Sequence, residues 1–271
     1  MRGVYYKSKF YEVDKYKSDH LSLKGLSIQD LDEVIGLNEL TEITTLDLSH
    51  NKIKTVKNID CLKNLIILNL SNNNLETIHG LEALTNLKSL FIDNNKIQKI
   101  EGISHLDKLN KLDLSVNKIS KIDNLESLEM LDRLMMEDNM LQKIENIDNL
   151  VSLRGLKFTR NNISDISGLR NLTRISSLDL SYNQIIDVSV LENLTELAYL
   201  VLDGNSIRDV SKLRGLEQLE YLSISDNRIE DVSALSNLKK LWFLSIENNY
   251  IKDPDVFARL QHSLDLQKFI H

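Results

Sequence analysis

The chain has 271 residues, 42% hydrophobic and 27% charged, with a formal net charge of -7 and a pI near 5.5. That acidic balance, without a run of five or more basic residues, argues against a nucleic-acid footprint. No stretch approaches the roughly 18 uninterrupted apolar residues of a membrane span, and the single cysteine, Cys61, excludes an intramolecular disulfide or a cysteine-cluster metal site.

The first segment, MRGVYYKSKFYEVDKYKSDH, has no apolar run like a signal peptide, so cytoplasmic residence is the expectation. Within it, VYYKSKFYEV predicts a strand or hairpin. The following HLSLKGLSIQDLDEVIGL reads as a degenerate first copy of a repeat. Leu21 and Leu23 stand at strand positions, Leu26 replaces an asparagine, and Ile28, Leu31 and Val34 continue the core. This copy lies 25 residues before the next one.

From Leu46 onward, LDLSHNKIKTV recurs every 22 residues, as in LNLSNNNLETI, LFIDNNKIQKI and LSISDNRIEDV. The asparagine returns at Asn51, Asn73, Asn95, Asn117, Asn139, Asn161, Asn183, Asn205, Asn227 and Asn249 without insertion or deletion. No such unit can bury its apolar side alone, so an unbroken period predicts one solenoid of stacked copies rather than separate cores.

Within a copy, Leu68 and Leu70 alternate with Ile67 and Asn69 at the period of a short strand, leucines inward. Asn73 occupies the turn, where its amide can replace missing main-chain hydrogen bonds. The return segment GLEALTNLKSL places Leu81, Leu84, Leu87 and Leu90 three residues apart. That spacing suits 3₁₀-like or irregular turns better than an α-helix. The fold class is therefore an α/β solenoid, a parallel sheet on one face and thin helical turns on the other. At the far end, KDPDVFARLQHSL predicts a short helix over about 254–262, with Asp253 as N-cap and Pro254 at the first helical position. Val256, Phe257 and Leu260 form its apolar stripe, and Leu264, Leu266 and Phe269 close the last gap. The organisation expected is a cap with a degenerate repeat over 1–40, repeats over 41–252, and a helical cap over 253–271.

Solvent-facing residues flanking the inward leucine define two candidate binding regions. The first joins Tyr199, Val201, Tyr221, Trp242 and Phe243, with Tyr182 nearby and Asp179, Asp203, Glu220 and Asp226 around it. Aromatics in adjacent copies lie one strand apart and bury large area with little rotamer loss on binding. The competing reading packs Trp242 and Phe243 beneath the C-terminal cap. The second region is mixed: Lys111, Arg133, Arg154 and Lys157, with Lys88 and Arg160, interrupted by Asp113, Asp132, Glu137 and Asp138. It reads either as a basic strip for an acidic partner or as charges that pair among themselves. The histidines have no zinc-binding spacing and no glycine-rich phosphate loop occurs, so no catalytic residue, metal or cofactor is expected.

The copies resemble leucine-rich repeats of the 22-residue class, found in the regulatory subunit of protein phosphatase 1 and in bacterial internalins. The likeness to the pattern LxxLxLxxNxIxxI covers residues 37–252. It implies a horseshoe with a concave sheet that recognises a protein partner without catalysis. NNISDISGLRNL and NRIEDVSALSNL look especially internalin-like, whereas the secretion signal and cell-wall anchor of a surface internalin are not found in the sequence. The leading expectation is thus a monomeric cytoplasmic protein-binding scaffold or regulatory adaptor, with a phosphatase or small GTPase as partner and neither nucleic acid nor membrane as ligand. The alternatives are a structural or self-associating module and a secreted or surface adhesion-type binding protein.

Overall fold

The computed structural model describes residues 2–14, 16–17, 19–253, 255–264 and 266–271. The chain divides into two compact units, Met1–Asn139 and Met140–His271.

The first unit opens with an antiparallel hairpin of β1 (Gly3–Tyr6) and β2 (Lys9–Glu12). Its two-residue turn, Lys7 and Ser8, has positive φ at both positions, as a tight hairpin turn requires. Val4 and Tyr6 are buried, and Tyr5 exchanges backbone hydrogen bonds with Ile35. Six three-residue parallel strands follow: β3 (His20–Ser22), β4 (Thr45–Asp47), β5 (Ile67–Asn69), β6 (Ser89–Phe91), β7 (Lys111–Asp113) and β8 (Arg133–Met135). β3 pairs with β4 as His20 to Thr45, which is the 25-residue offset of the degenerate copy. The other pairings advance by 22 residues, so Leu46, Leu68, Leu90, Leu112 and Leu134 stack in one fully buried column.

The second unit continues the pattern with β9 (Gly155–Lys157), β10 (Ser177–Asp179), β11 (Tyr199–Val201), β12 (Tyr221–Ser223) and β13 (Phe243–Ser245). Helix α1 (Asp255–Ser263) follows, and the chain ends in a further parallel strand, β14 (Lys268–Ile270). Asp253 Oδ1 accepts the Asp255 N–H and its carboxylate pairs with Arg259, so it caps the helix as its position predicts. Pro254 lies outside the described residues. Val256 and Leu260 are buried beneath α1, whereas Phe257 is only half covered and rests against Phe269 and His271.

Asparagine at the turn links neighbouring copies as well as closing its own. Asn73 Oδ1 accepts the Ile53 N–H of the preceding copy at 3.0 Å. Its Nδ2 donates to Leu48 O of that copy and to Leu70 O of its own, both at 3.0 Å. The same set recurs at Asn183, toward Ile163 N, Phe158 O and Leu180 O. Asn51 meets the degenerate copy through the N–H groups of Leu26 and Ile28, so leucine in place of the first asparagine leaves the joint intact.

The return segments take two forms, each with a local cause. In the first unit, left-handed positions fall on Asn58, Gly80, Gly102 and Asn124, residue types that tolerate positive φ. At Gly80 a Cβ would lie 2.1 Å from the Val56 carbonyl oxygen, so only glycine fits that close approach. In the second unit Asn146 keeps the left-handed form, and the later stretches coil into 3₁₀ turns at Ser167–Leu169, Ser189–Asn193, Ser211–Gly215 and Ser233–Asn237. Asp165, Asp187, Asp209 and Asp231 start them, each accepting the N–H of the serine two residues on. In both forms the leucines three residues apart are joined by backbone bonds, such as Leu84 N to Leu81 O at 2.9 Å and Leu194 N to Leu191 O at 3.0 Å. This is the 3₁₀-like geometry that their spacing predicts.

Asn73→Asp keeps the acceptor oxygen and loses the amide donors, leaving buried carbonyls unpaired beside a new charge. We expect a loss of about 3–5 kcal/mol in unfolding free energy, measured by urea denaturation.

Candidate functional site

The sheet of the second unit carries an aromatic column because residues that precede the inward leucine share one face and pair in register. Tyr199 opposes Tyr221 and Tyr221 opposes Phe243. The Tyr199 and Tyr221 rings stack with centroids 4.4 Å apart at 19°, and Tyr221 and Phe243 lie 4.1 Å apart and parallel. Trp242 meets Tyr221 at 5.9 Å and Phe243 at 6.0 Å, edge-on. Such pairings favour a rigid surface, with each aromatic pair adding about 0.5–1.5 kcal/mol beyond its buried area.

Exposure divides the sequence-predicted residues. Tyr199 is 39% and Trp242 41% exposed, while Phe243 and Val201 are each 8% exposed. Phe243 is covered because β14 pairs alongside β13 and sets the Lys268 ammonium over its ring, 5.5 Å from the centroid. Trp242, one residue earlier, turns out of the strand and stays accessible. The two residues assigned a common fate by sequence thus part company, and Lys268 joins the patch as a cation that the repeat pattern does not announce. Tyr182 stands in the turn at φ 54, beside Gly204, where a Cβ would meet its ring at 2.6 Å. The Arg160 guanidinium lies 5.7 Å from the Tyr182 centroid.

Four residues after Tyr199, Asp203 anchors a polar network. Asp203 accepts hydrogen bonds from Ser223 Oγ at 2.7 Å and from the Ser225 N–H at 2.7 Å. Ser225 Oγ meets Ser245 Oγ at 2.7 Å. Burial raises the Asp203 carboxyl above its ordinary range, opposed by the Ser223 and Ser225 hydrogen bonds and reinforced by the charges of Asp179 and Asp226. Burial likewise raises the Tyr199 and Tyr221 hydroxyls, with the nearby aspartates adding to the shift, so both rings stay neutral.

The basic candidates fall in different units. Lys111 and Arg133 stand on β7 and β8 of the first, and Arg154 and Lys157 lie at β9 of the second. The Lys111 ammonium sits 4.9 Å from the Phe91 centroid, and Arg133 Nε lies 3.5 Å from Asp132. Those two charges have local contacts, one with a ring and one with the preceding residue. Beside Lys111, burial raises the Asp113 carboxyl, and Asp93 and Glu137 push it in the same direction. Cys61 is half-buried, with its thiol raised by burial. Among the described residues no cluster of His, Cys, Asp or Glu is arranged to hold a metal ion, and no helix is long and apolar enough to cross a membrane.

Stacked parallel strands, asparagine-bridged turns and a side-chain-bearing sheet face define a non-catalytic, protein-binding repeat scaffold. Leucine-rich repeat family models match residues 41–83, 63–105 and 85–127 as paired copies, and residues 195–251. An internalin C2 of Listeria monocytogenes is 31% identical, covering 69% of this chain and 82% of its own, with a TM-score of 0.67. The chain belongs to the leucine-rich repeat family. An internalin (inlF) of the same organism is 25% identical over 97% of this chain and 89% of its own, at a TM-score of 0.63. A plant peptide hormone receptor, RGFR1 in complex with RGF2, shares the fold at 24% identity and a TM-score of 0.65, over 87% of this chain and 44% of the receptor. No curated protein sequence matches the chain.

These likenesses correct the cytoplasmic expectation. Internalins are secreted bacterial surface proteins, and it is with them that the repeats align. The earlier inference rested on an N-terminal segment without a leader-like run. The leucine and asparagine pattern carries no compartment signal of its own, since it records only how copies stack.

A raised carboxyl makes stability depend on pH. The folded state holds the Asp203 proton more tightly than the unfolded chain, so this contribution is fully present below the unfolded value of about 3.9 and is lost as pH rises through the raised folded-state value. Asp203→Asn keeps an acceptor for the Ser225 N–H and removes the titration. Between about pH 7 and about pH 4, thermal unfolding should show the parent gaining stability relative to this variant as pH is lowered.

Proposed function

We propose that the chain is an adhesion-type binding protein that docks a folded protein partner on Tyr199, Tyr221 and Trp242, with Tyr182 at the margin, while Phe243 and Val201, solvent-facing by sequence, are covered and hold the rings in place. The observation that carries this reading is the continuous ring stack across β11, β12 and β13 with two accessible members. Exposed, pre-ordered aromatics lose little entropy on binding and serve as hot spots. The internalin likeness favours this adhesion-type role over that of a regulatory adaptor. The acidic fringe of Asp179, Asp203, Glu220 and Asp226 favours a partner that presents arginine or lysine among apolar side chains. That chemistry selects no enzyme class, so neither a phosphatase nor a small GTPase is preferred over other proteins. Arg154 and Lys157, at β9 of the same unit, belong in this reading to flanking contacts that tune association rate more than affinity.

The double variant Tyr199→Asp/Tyr221→Asp breaks the column while leaving the buried leucines in place. Capture of a native partner from host surface extracts should fall by at least about 100-fold, roughly 2.7 kcal/mol; the lost ring pairs, about 0.5–1.5 kcal/mol each, lower the melting temperature, and circular dichroism checks that the variant is folded at the assay temperature. Retained capture by a folded variant overturns the assignment. Light scattering across a concentration series should report a monomer, and self-association that survives the same substitutions would favour the structural-module alternative.

A further inference from the structure

A groove in the second unit, of about 640 Å³, lies away from the aromatic column and is lined by Ser164, Gln184, Ile186, Ser206, Arg208 and Arg228. Its geometry follows from the repeat. Gln184, Ser206 and Arg228 occupy the position directly after Asn183, Asn205 and Asn227, and form one wall. Ser164, Ile186 and Arg208 occupy the third position after Asn161, Asn183 and Asn205, and form the other. Between the walls run Ile185 and Ile207, both fully buried. Their N–H groups are held by Asn205 and Asn227 at 3.0 Å, and their carbonyls accept from Ser206 and Arg228 at 2.9 Å. The floor is therefore ordered by the asparagine ladder.

Two guanidinium groups face this groove from opposite walls, one copy apart. Neither has a carboxylate partner among the described residues, although the chain is acidic overall. Of the carboxylates near in sequence, Glu230 pairs with Lys252, while Asp187, Asp209 and Asp231 accept the N–H groups of Ser189, Ser211 and Ser233 and keep their charge. Both arginines are exposed, so their guanidinium groups are open to an incoming anion. Guanidinium presents paired N–H donors suited to the oxygens of a tetrahedral oxyanion. Hydroxyls of Ser164 and Ser206 and the Gln184 amide add neutral donors. Ile186, exposed at the rim, supplies an apolar surface for the carbon portion of a ligand.

We propose that this groove binds a phosphate monoester, its dianionic phosphate bridged by Arg208 and Arg228 and its organic group resting on Ile186. Two cations favour a phosphate monoester, which carries about -1.5 to -2 at neutral pH, over a sulfate ester with a single charge. The site is independent of the aromatic column.

Calorimetric titration of the full chain in phosphate-free buffer tests this, with phenyl phosphate, phenyl sulfate and inorganic phosphate as probes. Phenyl phosphate should bind saturably at one site, with phenyl sulfate at least about tenfold weaker. Arg208→Gln/Arg228→Gln should weaken phenyl phosphate by at least about tenfold. Ile186→Ser should weaken phenyl phosphate and leave inorganic phosphate unchanged, and Tyr199→Asp/Tyr221→Asp should alter neither. Should the arginine double variant not fold, Ser206→Asp places a repelling charge in the groove and is expected to abolish binding. Non-saturating uptake, equal affinity for phenyl sulfate, or undiminished binding in a folded arginine or Ser206→Asp variant overturns the proposal.

Discussion

Everything in the structure depends on one amide. In each copy the turn asparagine spends its oxygen on an N–H of the copy before, and its nitrogen on carbonyls of both copies. Leucine burial drives stacking but is indifferent to register, since hydrophobic attraction has no direction. The amide supplies the direction. A shift of one residue would strand buried N–H and carbonyl groups at roughly 1–3 kcal/mol each. A strict 22-residue period is the sequence consequence of that constraint, and the 25-residue first step is tolerated because Asn51 Oδ1 accepts the backbone N–H groups of Leu26 and Ile28, which need no particular side chain there.

Once the stack is held in this way, the outward positions of each strand are relieved of structural duty. Residues there are set one strand apart, about 4.8 Å in a parallel sheet, close to the ring spacings in the Tyr199, Tyr221 and Phe243 column. The ladder of amides thereby imposes a ladder of rings. The Asp203 network is a by-product of the same spacing, since Ser223 and Ser225 of the next copy fall within reach of one carboxylate.

Much of this was legible because the repeat converts sequence distance into spatial adjacency. Strand positions, the inward leucines, the 3₁₀-like returns and the aromatic neighbours can all be counted off a 22-residue grid. The grid fails where the chain leaves it. Strand β14 is not a copy of the repeat, so neither its pairing with β13 nor the placement of Lys268 over Phe243 could be counted. For the same reason Trp242 and Phe243, adjacent in sequence, could not be separated into exposed and covered. The Arg208 and Arg228 groove escaped notice for a different reason. Its two walls come from different positions of successive copies, and reading single columns does not bring them together.

Sequence by itself determined the inward columns of the repeat, how strands succeed one another and which outward positions are neighbours, because hydrophobic periodicity and one directional hydrogen-bonding side chain suffice for a repeating stack. Only the tertiary structure decided how the terminal strand covers the column and which charges are already paired. It also decided which return segments coil into defined 3₁₀ turns. Those outcomes depend on side-chain direction and on packing between non-equivalent segments, which no period encodes.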